Sequence, residues 1–239
     1  MFLKDYFSSV AGGYAFSRAQ ASAFAKGVAA DFNPIHDEDA KRFCVPGDLL
    51  FAMLLAKQGL HQTMHCNFAG MVGGDLPLFL SGDGTNTRLA DENGKTYLEM
   101  AHGGEVSHDM ALIESLVRRY VRFSGQNFPP ILVPLMCEQQ VMINPARPLV
   151  MYQSMSVTLS HLALQDPQIV FTGAELDVQG KRGNATLRFD FVDQEQVVGH
   201  GQKEMVLSGL VPYQQQAMDD MVAFYLQRRE AFGAAKNAA

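Results

Sequence analysis

The order of hydrophobic periodicities along the 239 residues predicts an α+β fold built from two similar units. Three observations carry that expectation. Helical stripes are each followed by strand-like segments, so a helix-then-strands plan occurs twice along the chain. Leu49-Leu50-Phe51-Ala52-Met53-Leu54-Leu55-Ala56 is apolar on every side, so as a helix it must be buried all round. A content of 47% hydrophobic and 18% charged residues is that of a globular chain able to fill a substantial core.

The elements run in chain order. Residues 1–16 hold one short aromatic-containing segment, a strand or an arm. Ser17 and Gln20 make an S-x-x-Q capping box, and Ala21, Phe24, Ala25, Val28 and Ala29 continue it on one stripe. Asn33-Pro34 ends this helix, because the residue before a proline is pushed out of the α region. Pro46, Gly47 and Asp48 mark the start of the buried helix over 48–60, with Asp48 as the expected N-cap. Residues 62–108 read as strands punctuated by Gly73-Gly74, Gly82-Asp83-Gly84 and Asn93-Gly94, the last a hairpin turn. Asp109 caps a second long helix over 110–123, with Leu112, Ile113, Leu116, Val117 and Tyr120 as its stripe. Ser124-Gly125-Gln126-Asn127 and Pro129-Pro130 end it. Strands are then expected over 133–143, 149–164, 169–178, 185–192 and 197–208. A last helix covers about 214–232, and residues 233–239 should fray. The division between units falls in 105–130, giving an N-terminal unit 1–108 and a C-terminal unit 109–239.

The stretch joining the first two helices carries the chemistry. D-F-N-P-I-H, from Asp31 to His36, sets an acid and an imidazole five positions apart on a proline-bent turn. With Asp39-Ala40 and Phe43 behind it, this motif resembles the hydratase motif of the MaoC-like proteins, the (R)-specific enoyl-CoA hydratases of the hot-dog fold. The resemblance implies a double hot-dog in which each unit is an antiparallel sheet wrapped around a long helix. It implies a water activated by Asp31 and His36, with Asn33 supporting the turn and backbone amides around Gly47 and Asp48 polarising a thioester carbonyl. The family's His-Gly-Met reads Pro46-Gly47-Asp48 here, so only the glycine is kept. A carboxylate at Asp48 would also compete with an oxyanion for the same amides. Taken whole, the chain also resembles a bacterial family of unknown function.

The partner implied is an acyl-CoA or an acyl carrier protein thioester, in fatty acid metabolism. The implied activity is hydration of a 2-enoyl group. A thioesterase on the same scaffold and a non-catalytic thioester-binding module are the alternatives. The same residues also have a bland role: Asp31 and Asn33 can simply bond the turn, and His36 and Asp37 can cap the next short helix.

Composition bounds the rest. A net charge of −6 argues against a general nucleic-acid binder, because phosphate contacts dominate that affinity. No apolar run reaches the roughly 20 residues of a membrane-crossing helix. Residues 1–5 lack a signal-peptide plan, and Cys44, Cys66 and Cys137 suit free thiols in a cytoplasm. No cofactor or metal is called for: His102-Gly103-Gly104-Glu105 with His108 has no known ligand spacing. Arg118, Arg119 and Arg122 read as a solvated helix face that, with Lys181 and Arg182, is a candidate for coenzyme A phosphates. The two units form a pseudo-dimer within one chain, and a homodimer of such chains is a further option.

Overall fold

The computed structural model describes residues 2–238. A short 3-10 turn (Phe2–Asp5) and a small hairpin, β1 (Ser8–Val10) with β2 (Gly13–Ala15), make up the expected arm. The capping box forms: Ser17 Oγ accepts from the Gln20 N–H at 3.1 Å, and Gln20 Oε1 accepts from the Ser17 N–H at 3.0 Å. It starts α1 (Arg18–Phe24), which widens into a π turn (Ala25–Ala29) and stops at Ala30 with φ 53°. Next comes α2 (Gly47–Gln58), with every residue from Asp48 to Leu55 buried. Its N-cap is Pro46, not Asp48 as expected; proline's fixed φ and missing N–H suit a helix entrance, and Asp48 falls in the first turn with its side chain turned elsewhere.

The first set of strands is β3 (Leu60–Phe68), β4 (Phe79–Gly82), β5 (Asn86–Ala90) and β6 (Thr96–Ser107). The Asn93-Gly94 turn joins β5 to β6, with Gly94 at φ 80°. Asp109 Oδ1 accepts from the Ala111 N–H at 2.8 Å and caps α3 (Met110–Gly125) as expected. The strand expected over 133–143 is instead a π turn (Phe128–Leu132), α4 (Val133–Glu138) and the two-residue β7 (Val141–Met142). The prolines explain the difference. Each of these helical segments has proline in its first turn, where a missing N–H costs nothing, so Pro129-Pro130 and Pro134 begin helices rather than ending one.

The second set follows the sequence closely: β8 (Val150–Leu159), β9 (Gln168–Gln179), β10 (Arg182–Asp193) and β11 (Gln196–Ser208), then β12 (Val211–Pro212) and α5 (Gln215–Ala238). Fraying was expected from 233; α5 continues through Ala238, and Ala239 lies outside the described residues.

All eight main strands form one antiparallel sheet in the order β4-β5-β6-β3-β8-β11-β10-β9. Its two four-stranded halves meet edge to edge along β3 and β8, from Thr63 opposite Thr158 to Asn67 opposite Ser154. The first half wraps α2, and α3 lies against the second. The fold is therefore α+β, a double hot-dog. Aromatic rings tie the layers together: Phe51 of α2 meets Tyr120 of α3 at 5.3 Å between centroids, and Tyr120 and Phe123 meet Phe189 of β10 at 5.7 and 5.0 Å. A second apolar cluster, including Leu132, Met136, Leu187, Met205 and Met218, lies under α4 and α5. The helix α5 then returns to the N-terminal corner, where the Tyr225 ring meets Phe32 at 6.0 Å.

Candidate active site

The Asp31–His36 corner is held by its own short-range bonds. Asp31 Oδ1 accepts from the Asn33 N–H at 2.9 Å, and Asn33 Oδ1 accepts from the Ile35 N–H at 3.2 Å. Asn33 thus supports the turn, which closes as a single 3-10 turn (Pro34–His36). His36 Nδ1 lies 2.7 Å from the Cys44 carbonyl, which accepts its proton and leaves Nε2 facing Asp31 Oδ2 at 3.5 Å. Burial opposes ionisation of both groups, but their mutual attraction wins. Asp31 is held below the usual carboxylate range by His36, the Asn33 amide and the Lys203 charge. His36 is held above its ordinary value by Asp31, the Cys44 carbonyl and the Asp48 charge. The favoured resting pair is carboxylate and imidazolium.

The opening turn of α2 supplies the second wall. Gly47 is needed there for space: a Cβ would lie 3.0 Å from the Phe68 and Tyr152 rings, which are themselves stacked at 4.1 Å. Asp48 does not bond the α2 amides. Ser124 Oγ, at the end of α3, donates to Asp48 Oδ2 at 2.6 Å, and Lys203 Nζ from β11 donates to Ser124 Oγ at 2.5 Å and to the Ser124 carbonyl at 3.3 Å. The expected competition between Asp48 and an oxyanion for those amides is therefore absent in this arrangement. Lys203 Nζ also sits 4.3 Å from the centre of the Tyr152 ring. Burial pushes the Asp48 carboxyl up, with the Asp31 charge adding to it and Lys203, Ser124 and His36 opposing. Burial pushes the Lys203 ammonium down against the pull of Asp48 and Asp31. Tyr120 and Tyr152 share a hydrogen bond between their hydroxyls, and burial pushes both phenols well above their ordinary value.

Apart from Tyr120, which lies behind Tyr152, these groups border one cavity of about 630 Å³. Asp31, Asn33, His36, Gly47 and Asp48, the five residues singled out in the sequence, lie on its wall together with Ser124 and Lys203. Much of the remaining wall is apolar, from Phe128, Leu132, Met205, Met221 and Phe224. The cavity wall thus combines a polar cluster with a larger apolar part.

Residues 1–216 match the family described as Protein of unknown function (DUF3581). The chain belongs to this family. A search of curated proteins gives no match. Among solved structures, the chain is similar to an acyl-CoA thioesterase II from Mycobacterium marinum, at 9% identity and TM-score 0.44, covering 90% of this chain and all of that one. A MaoC-like dehydratase is 8% identical at TM-score 0.44, covering 85% and 98% of the two chains. Full-length peroxisomal multifunctional enzyme type 2 from Drosophila melanogaster is 13% identical at TM-score 0.41 over 81% of this chain, which spans about half of that one, at 47%.

Lys203, Ser124 and Tyr152 are the site residues that sequence reasoning missed. A signal existed for Lys203: it stands two and four places before Met205 and Leu207, so alternation along β11 puts it on their inward face. Ser124 was absorbed into a helix-ending run, and only the packing of α3 on α2 shows its partner. Among the described residues, no group of three or more His, Cys, Asp or Glu side chains could hold a metal ion. The His102 ring stacks on His61 at 4.0 Å and its Nε2 lies 3.1 Å from Thr87 Oγ1, away from the cavity wall. Arg118 pairs with Glu114 at 2.9 Å and Arg119 with Asp166 at 2.5 Å, and neither borders the cavity. Among the described residues no helix is long and apolar enough to cross a membrane.

Proposed function

We propose that this protein binds an acyl thioester in the 630 Å³ cavity and hydrates a 2-enoyl group through Asp31 and His36, with residues 1–108 supplying the dyad and residues 109–239 much of the acyl wall. The observation that carries the proposal is His36 Nε2 standing 3.5 Å from Asp31 Oδ2 on a wall of that cavity, with Nδ1 already engaged by Cys44. A water placed across the two atoms meets an acceptor and a donor. Asp31 takes a proton from the water as its oxygen bonds to the β-carbon, and the His36 imidazolium gives its proton to the α-carbon. The pair is reset when Asp31 returns its proton to His36 across the short gap. The Leu49 and Leu50 amides go to the Pro46 carbonyl at 3.0 and 3.4 Å, which leaves the Gly47 and Asp48 amides at the head of α2 for the carbonyl end.

The test is loss of enoyl absorbance from crotonyl-CoA. Asp31→Asn and His36→Ala should each slow it by roughly 10²–10⁴-fold while leaving the fold intact by circular dichroism. Full rate in both variants overturns the assignment. Free thiol released without hydration would instead point to a thioesterase.

A further inference from the structure

The polar end of the cavity holds more machinery than a hydration dyad needs. Lys203 Nζ has three protons, and its nearest acceptors are Ser124 Oγ at 2.5 Å and the Ser124 carbonyl at 3.3 Å. Ser124 passes its own proton to Asp48 Oδ2 at 2.6 Å, while Asp48 Oδ1 is buried with no hydrogen-bond partner. The result is a lysine–serine–aspartate chain with one donor and one acceptor left over. Lys203 and Asp48 are 5% and 6% exposed, and both border the cavity. A pair serving stability alone gains little from such an arrangement, since apolar residues of similar volume often do as well or better.

We propose that Lys203 is the group that takes the substrate's thioester carbonyl oxygen, an inference that rests on the acyl-thioester proposal above. Asp48 in the first α2 turn places a carboxyl near the amides that face that oxygen, and without a compensating cation it would oppose negative charge there. Ser124 draws the Lys203 ammonium to the same turn, which restores a positive field there. The Tyr152 face, 4.3 Å from Nζ, adds a further contact to the ammonium. Charge that develops on the carbonyl oxygen during reaction is then met by a preorganised, desolvated cation. Lys203 is in these terms a catalytic residue, in contact with a reacting atom.

Two ligands separate this role from a structural one: butyryl-CoA, and S-butyl-CoA, a thioether of the same shape that lacks the carbonyl oxygen. The wild-type protein should bind the thioester about tenfold more tightly. The carbonyl resonance of [1-13C]butyryl-CoA should also move downfield on binding. Lys203→Met should erase both the preference and the shift while still binding the thioether. A Lys203→Met protein that keeps the preference overturns the inference. So does one that loses the two ligands equally, and so does a wild-type protein with no preference. Should Lys203→Met fail to fold, Lys203→Met/Asp48→Leu removes both ends of the chain together and faces the same outcomes. A wild-type protein that binds neither ligand overturns the acyl-thioester proposal itself, and this one with it.

Discussion

Gly125→Ala places one methyl group where the end of α3 crosses the Ala29–Asp31 corner. A Cβ at this position would lie 2.2 Å from the Ala29 carbonyl oxygen, 3.0 Å from the Ala29 carbonyl carbon and 3.1 Å from Asp31 Cβ. Backbone atoms cannot rotate aside, so the corner and α3 must separate by roughly 1 Å to regain ordinary contact. Overpacking of this kind costs about 1–3 kcal/mol, which in a chain of this size lowers the melting point by roughly 2–12 °C. The displacement falls on the backbone that carries Asp31, and a misplacement of about 1 Å can cost around 10²-fold in rate. Gly73→Ala is the control, because a Cβ there meets nothing within 4 Å. Thermal melts of both variants, with crotonyl-CoA hydration measured alongside, check the expectation. If Gly125→Ala melts and turns over like Gly73→Ala, the close crossing of α3 over the corner does not position the acid.

Two further outcomes are expected at the same corner. His36 is raised above 6.5 in the folded state, so its pairing with Asp31 adds stability that is complete below that pH and is lost as pH rises through the folded value. Melts of wild type against Asp31→Asn from about pH 5 to pH 9 should show the wild-type advantage shrinking on the alkaline side, and hydration should fall there as the imidazolium is lost; a constant difference across the range refutes the ion-pair form. Arg228 of α5 reaches the Asp37 carboxylate at 2.5 and 2.6 Å and the Phe32 carbonyl at 3.2 Å, while Lys26 holds Asp37 independently at 2.9 Å. Arg228→Ala should therefore cost about 1–3 kcal/mol without stranding Asp37, and limited proteolysis should cut α5 faster than in wild type; equal cutting refutes the latch.

Most of the architecture was legible because it depends on patterns with few alternatives. An eight-residue run with no polar face can only be a buried rod, and α2 is one. Ser17 with Gln20, Asp109 and Asn93-Gly94 act through bonds within three or four residues, so the sequence alone contains both partners. The stretch over 133–143 was misread because proline both stops and starts helices, and only the packing of Leu132 and Met136 onto the second cluster decides which. Asp48 was misplaced for a related reason. Its choice between capping α2 and bonding Ser124 is made by a side chain from another helix, invisible to any local rule.

The same distance in sequence explains why the candidate site needs both halves of the chain. Its acids, Asp31 and Asp48, and its imidazole come from the segment around the entrance of α2, which taken alone carries two carboxylates for one histidine. Burial raises the cost of that imbalance, and the Asp48 carboxyl is pushed up accordingly. The compensating ammonium arrives from β11, and the serine that aligns it arrives at the end of α3. Both are delivered by elements that pack against the first half through the β3–β8 pairing and the Phe51–Tyr120 contact. Charge balance at the polar end is thus a tertiary property, and so is any chemistry that depends on a cation there. The Asp31–His36 pair could be read from six consecutive residues. The charges around it could not, because their source lies on strands and helices that meet only when the sheet is continuous.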